Sequence, residues 1–114
     1  MASTVRKSEL TARRRHLVEV MQEANYACIE HLEVRDGEPV FTENTRVVLK
    51  VKFGAPDKGA RPEARLVDTE LKRDTVEMLA ALAQIGNGTV RALSVTAGLP
   101  SHMEVLPDRL PGAR

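Results

Sequence analysis

Apolar residues recur at intervals of three and four in two stretches of the chain, a spacing typical of helices with one buried face. The first stretch follows Ser8, a capping residue, and ends at Asn25, while the second starts near Asp68 or Thr69 and ends at Gly86. The pattern predicts helices over residues 9–25 and from about 68 to 85. The buried stripes are Leu10, Arg14, Leu17, Val18, Met21 and Ala24 in the first, and Leu71, Thr75, Met78, Leu79, Leu82 and Ile85 in the second.

After the first helical stretch, apolar and polar residues alternate with a period of two, which is typical of strands and here indicates a hairpin. Residues 32–35 alternate between apolar and charged side chains and lead into Asp36-Gly37, a dipeptide that favours a tight turn. Ile29 is out of phase with this alternation, which predicts a bulge near Glu30-His31. Pro39 has no backbone N–H and must therefore lie at a sheet edge or a bulge.

A third strand is predicted over residues 46–53, where the alternation is strict. One side consists of Val47, Leu49, Val51 and Phe53, and the other of Arg46, Val48, Lys50 and Lys52. This predicts a strand with its apolar side against the core and its basic side in water. The prolines and glycines that follow predict a surface loop over residues 54–67.

The second half, moved back by sixty-one positions, aligns with the first without a gap. Gly98 and Pro100 then fall on Gly37 and Pro39, and the strand and helix phases also match. We therefore predict one α+β domain over residues 1–114, with a mainly antiparallel sheet and two helices on one face. It consists of αββ units at about 9–53 and 68–105 and a flexible tail at 106–114. Two unrelated helix–hairpin units are the alternative.

Residues 17–43 carry a family resemblance. Tyr26-Ala27-Cys28-Ile29, Val34, Asp36-Gly37, Val40 and Thr42-Glu43 resemble the short YezD-like proteins of bacteria. Those proteins have a helix, an aromatic-Gly-x-Val step and a strand–Asp-Gly–strand, whereas this chain has Ala27 in place of the glycine and one more residue before Asp-Gly. The resemblance implies the fold of the first unit and no particular chemistry.

Residues 89–101 also resemble the helix–turn–helix of winged-helix DNA-binding regulators, with Leu93, Ser94 and Gly98 at suitable spacing. The recognition helix would then start near Pro100 and be interrupted by Pro107. Its groove-facing residues would include no basic side chain, although phosphate contacts dominate affinity for DNA. The helix-turn-helix is therefore the alternative and the hairpin the main prediction.

Composition narrows the functional classes further. Seventeen basic and sixteen acidic residues leave a formal charge of +1, and aromatic residues make up only 3% of the chain. This disfavours a general nucleic-acid binder and stacking of bases on aromatic side chains. Cys28 is the only cysteine, which excludes an intrachain disulfide. With no long apolar run and no signal-like N-terminus, we expect a cytoplasmic protein that does not enter membranes.

Candidate catalytic groups do not form a recognisable set. His16, His31 and His102 lack the spacing of metal ligands, and Cys28, expected to be a buried structural residue, has no neighbouring base. Gly86-Asn87-Gly88 lacks the lysine of a phosphate-binding loop. The sequence therefore predicts neither an enzyme nor a cofactor, metal or small-molecule ligand.

The remaining candidates are basic side chains at the surface. They are Arg13, Arg14, Arg15, Arg46, Lys50 and Lys52. If they share one face, they could contact an acidic partner or a nucleic-acid backbone. We therefore expect a small non-catalytic binding or accessory module that acts through a protein or acidic partner, with self-association through edge strands also open. The alternative is a DNA-binding regulator.

Overall fold

The secondary structure follows the order helix, three strands, helix, two strands. The computed structural model describes residues 5–51, 53–54 and 71–108. After a short 3₁₀ turn at Lys7–Glu9, the elements are α1 (Ala12–Ala24), β1 (Ala27–Arg35), β2 (Glu38–Val40), β3 (Arg46–Leu49), α2 (Arg73–Ile85), β4 (Gly88–Thr96) and β5 (Leu99–Pro107). The predicted α+β class with a mainly antiparallel sheet is confirmed.

The sheet has β1 and β4 at its centre. They pair antiparallel from Ala27 opposite Val95 to Val34 opposite Gly88. On its other side β1 pairs with β2 near its end and with β3 near its start, while β5 forms the opposite edge beside β4. The bulge predicted near Glu30-His31 coincides with His31, which has a φ of +56° and is skipped in the pairing of β1 with β4.

The core lies between the two helices and one face of the central strands. In β1 the side chains of Ile29 and Leu32 are fully buried, and so is Val90 in β4. They pack with the apolar stripe of each helix, where Leu17 and Leu82 are fully buried. Polar side chains occupy the alternate strand positions, so only one face of the sheet is dry.

The two halves match at a constant offset of sixty-one residues. Each helix has thirteen residues, with bounds that differ by this offset, and each ends at a residue of positive φ, 67° at Asn25 and 71° at Gly86. The turns Asp36-Gly37 and Ala97-Gly98 also have positive φ at both positions. These matches show that the two halves have similar geometry. That the halves are copies of one sequence unit stays a prediction.

Several predicted boundaries were wrong. Thr11 and not Ser8 caps α1, because its hydroxyl accepts the Arg14 amide at 3.2 Å. The second helix begins at Arg73; residues 68 and 69, like most of the predicted loop, lie outside the described residues. β5 continues to Pro107, so the first two residues of the predicted tail belong to a strand, while 109–114 lie outside the described residues.

The segment that suggested a helix-turn-helix is a β-hairpin. β4 and β5 pair antiparallel across the Ala97-Gly98 turn, from Thr96 opposite Leu99 to Gly88 opposite Pro107. The β-branched residues of this segment favour an extended backbone, and two positive φ angles close the turn. The predicted alternative therefore has no recognition helix at this position.

Candidate protein-binding edge

The third strand is exposed on both sides. Val47 is 40% exposed, Leu49 62%, Val51 72% and Phe53 91%, although the alternation predicted that these residues face the core. That prediction was wrong because α1 packs its buried stripe over the centre of the sheet and reaches β3 only with its flank. We call residues 46–51 and 53 the apolar edge.

The backbone of the apolar edge has a free side. The Lys50 N–H donates to the Tyr26 carbonyl at 2.9 Å, so this amide points toward β1. Amide directions alternate along a strand, and those of Val47 and Leu49 therefore point away from β1. β3 forms no pair on this outer side among the described residues. A further strand could accept and donate hydrogen bonds there.

A tight turn at residues 42–45 creates this edge. The Thr45 hydroxyl accepts the Thr42 amide at 2.9 Å and donates to the His31 carbonyl at 2.8 Å, which holds the turn against β1. The turn separates β2 from β3, whereas the second half has the single strand β5 in the corresponding place. β1 is therefore paired on this side by two short strands, β2 near its end and β3 near its start, whereas β5 alone pairs along β4.

A groove lies between α1 and the apolar edge. It encloses about 390 Å³ and is lined by His16, Glu19, Val20, Glu23, Ala24 and Val47. Its lining combines the aliphatic side chains of Val20, Ala24 and Val47 with polar ones, among them Glu19 and Glu23. Glu19 also forms an ion pair of 3.4 Å with the buried Lys7. The groove can accept apolar side chains from a strand added beside β3.

The predicted basic residues divide between two sides of the molecule. Arg46 is exposed opposite Glu30 in the β1–β3 register, on the face of the sheet that the helices leave uncovered, and Lys50 is exposed four residues further on. Lys52 lies outside the described residues. Arg13, Arg14 and Arg15 are on α1, which covers the other face. The structure does not bring all of these basic residues together.

Arg14 has a structural role within this set. Its Nη2 donates to the Gly37 carbonyl at 3.3 Å, and its Nε lies 2.8 Å from Glu38 Oε2. Its side chain is only 28% exposed. Arg14 therefore joins α1 to the first hairpin, while its neighbour Arg13 remains exposed.

A cleft between α2 and the β4–β5 hairpin was missed by sequence reasoning. It encloses about 610 Å³ and is lined by Asp74, Glu77, Met78, Leu93, Thr96, Leu99, Pro100, Ser101, His102 and Met103. Glu77 is paired with Arg73 at 3.3 Å, and the Ser101 hydroxyl donates to the Ser94 carbonyl. Met78 belongs to the predicted buried stripe of the second helix, and the other lining residues form no motif, so no sequence pattern indicated that they surround a cleft.

The remaining chemical candidates lie apart from one another. Cys28 was expected to be a buried structural residue, but it is only half-buried within β1 and does not belong to the core. The ring of His16 contacts that of Phe41 edge-on at 4.7 Å, and His102 is exposed on β5. Among the described residues, no group of three or more His, Cys, Asp or Glu side chains could hold a metal ion.

Comparisons with protein-family models, with curated proteins and with solved structures find no match for this chain. In the part of the chain that the structure describes, neither helix is long and apolar enough to cross a membrane.

Proposed function

We propose that this protein is a non-catalytic binding module that takes up an extended segment of a partner protein as an additional strand beside β3. One observation carries the proposal. Six large apolar side chains are exposed among the described residues, and five of them belong to the apolar edge. Single exposed apolar residues are ordinary, but a contiguous patch of them on a soluble protein is typical of an interaction site.

The edge position supports strand addition as the way of binding. Proteins usually protect an edge strand with charges, bulges or a covering element, because its unpaired backbone groups otherwise attract other strands. On the side of the apolar edge that faces α1, Val47, Leu49 and Val51 provide no such protection. In strand addition the main chain supplies affinity, and alternate side chains enter pockets and supply specificity. The groove beside Val47 is such a pocket.

A cytoplasmic location is part of the proposal. The chain has one cysteine, so its stability needs no disulfide and no oxidising compartment. The core of Leu, Val, Ile and Met side chains between the helices and the sheet supplies the stability instead.

The test uses the outward-pointing amide of Leu49. A random peptide library is selected on the wild-type protein, and the recovered peptides are measured against the Leu49→Pro and Leu49→Ala variants. Proline removes the N–H at an edge position without removing a hydrogen bond to β1. We expect affinity to fall by about tenfold or more for Leu49→Pro, the equivalent of about one hydrogen bond, and by only a few-fold for Leu49→Ala.

Circular dichroism of both variants shows whether the fold is retained. Recovered peptides that bind folded Leu49→Pro as tightly as wild type would overturn strand addition. Failure to recover any peptide that competes for the apolar edge would overturn the proposal as a whole.

A further inference from the structure

The side chains around the apolar edge specify the kind of strand that fits it. We infer that the bound segment alternates, with acidic residues on the side facing away from the helices and aliphatic residues on the side facing α1. This inference rests on the proposed strand addition and adds the chemistry of the partner.

The uncovered face of the sheet provides the basis for the acidic half of the pattern. Arg46 and Val48 lie opposite Glu30 and Cys28 in β1, and these positions point away from the helices. Lys50 continues the same side by strand alternation. An added strand would place its own outward side chains directly beside Arg46 and Lys50. Opposite charges at such cross-strand positions stabilise a sheet, and like charges destabilise it.

The helix-covered side provides the basis for the aliphatic half. Inward side chains of an added strand would enter the groove over Val47, beneath Val20 and Ala24 of α1. Glu19 and Glu23 also line the groove. Because Glu19 is paired with Lys7, a carboxylate placed there would meet mainly the charge of Glu23 and aliphatic side chains. Acidic residues of the partner are therefore accepted on one side of the strand only.

The same charges disfavour a second copy of this chain as the occupant. When two copies of one edge pair antiparallel, outward positions of one strand stand beside outward positions of the other in every register. Arg46 and Lys50 would then lie beside their own counterparts. The edge contains no carboxylate, and Glu30 of β1 lies opposite Arg46 but not opposite Lys50. The occupant that fits is a different protein with an apolar–acidic strand.

Three blocked peptides of about nine residues, the length of a long strand, test this pattern. In each, Ile alternates with a second residue, which is Glu, Gln or Lys. Binding is measured by fluorescence anisotropy at low peptide concentration. From two cross-strand charge pairs we expect the Glu peptide to bind about five- to tenfold more tightly than the Gln peptide, and the Lys peptide to bind most weakly.

Two double variants show whether the preference comes from the edge. Arg46→Gln with Lys50→Gln should remove most of the advantage of Glu over Gln. Lys72→Gln with Arg73→Gln, the matched loss of two exposed charges at the start of α2, should leave it unchanged. Raising the salt concentration from about 0.05 M to about 0.5 M should also reduce the advantage, because exposed charges are screened.

The outcomes separate this inference from the proposed function. Equal binding of all three peptides, sensitive to Leu49→Pro, would overturn the acidic pattern and leave strand addition in place. Sedimentation that shows a dimer abolished by Leu49→Pro, with no peptide binding, would replace the partner by a second copy and overturn the inference. A monomer that binds none of the peptides, together with a library that recovers no binder, would overturn both.

Discussion

The backbone N–H of Gly37 donates to the carbonyl of Gly86 over 2.8 Å, which joins the first hairpin turn to the end of the second helix. A second bond of 2.8 Å runs in the opposite sense, from the Gly98 N–H to the Asn25 carbonyl. Each turn is therefore bonded to the helix end of the other half. Both carbonyls are among those that a helix leaves without an internal partner.

Substitution of Gly37 should be costly for two reasons. Its φ is +76°, and a Cβ at this position would lie 3.1 Å from the backbone Cα of Ala83. We expect Gly37→Ala to lower the free energy of unfolding by about 2 to 3 kcal/mol, measured by urea denaturation. Gly86→Ala is the matched control, because its φ is +71° but its Cβ would meet nothing within 4 Å.

Gly86→Ala measures only the cost of a positive φ for alanine, and we expect it to lower the free energy of unfolding by about 1 kcal/mol. Equal losses for Gly37→Ala and Gly86→Ala would show that the close approach of the turn to α2 has no energetic effect.

Neighbouring arginines on α1 should differ in their contribution to stability. Arg14 contacts the Gly37 carbonyl and the Glu38 carboxylate, whereas Arg13 is exposed. We expect Arg14→Ala to reduce the free energy of unfolding by about 1 to 2 kcal/mol, and Arg13→Ala by less than about 0.5 kcal/mol. Thermal unfolding of the two variants at one salt concentration measures the difference. A larger loss for Arg13→Ala would contradict the structural role of Arg14.

The buried Lys7 should be coupled to Gln22. Its ammonium group is fully buried, donates to Gln22 Oε1 at 3.2 Å and lies 3.4 Å from Glu19 Oε2. Lys7→Met leaves the buried amide of Gln22 without this donor, so we expect a loss of about 2 kcal/mol. In a double-mutant cycle with Gln22→Leu, the double variant should lose about 1 kcal/mol less stability than the sum of the losses of the two single variants. Strict additivity would refute the coupling.

Removal of apolar groups from the edge should leave stability almost unchanged. Phe53 is 91% exposed, so Phe53→Ser should change the free energy of unfolding by less than about 0.5 kcal/mol. Leu32 is fully buried, and Leu32→Ala should cost about 2 to 5 kcal/mol. Denaturant titration compares them directly. A loss of several kcal/mol for Phe53→Ser would mean that this ring packs against the protein after all.

Local chemistry made most of the fold predictable from the sequence. Helical spacing identified the faces that carry Leu17 and Leu82, and Asp36-Gly37 identified a turn in which both residues take positive φ. Both signals act over a few residues and need no knowledge of distant contacts. The irregularity at His31 was predictable for the same reason, since it shifts the phase of the apolar positions on either side.

The candidate site was less predictable because alternation identifies an apolar side without saying what covers it. Val47 and Leu49 show the same pattern as a core strand, yet α1 reaches β3 only with its flank and leaves both side chains exposed. Lys7 shows the opposite relation, since lysine side chains are usually exposed and this one is buried beside Gln22. In both cases, tertiary packing decides burial.

The central pairing of β1 with β4 also determines when the chain can fold. Ala27 can pair with Val95, and Val34 with Gly88, only after the second helix and β4 have been made. Contacts between such distant residues close slowly, because the ends of a long loop must first be brought together. Until β4 has been made, the apolar side chains of Ile29 and Leu32 would remain exposed to solvent. The incomplete chain could then associate with other chains through them. The centre of the sheet is therefore expected to form only after β4 has been synthesised.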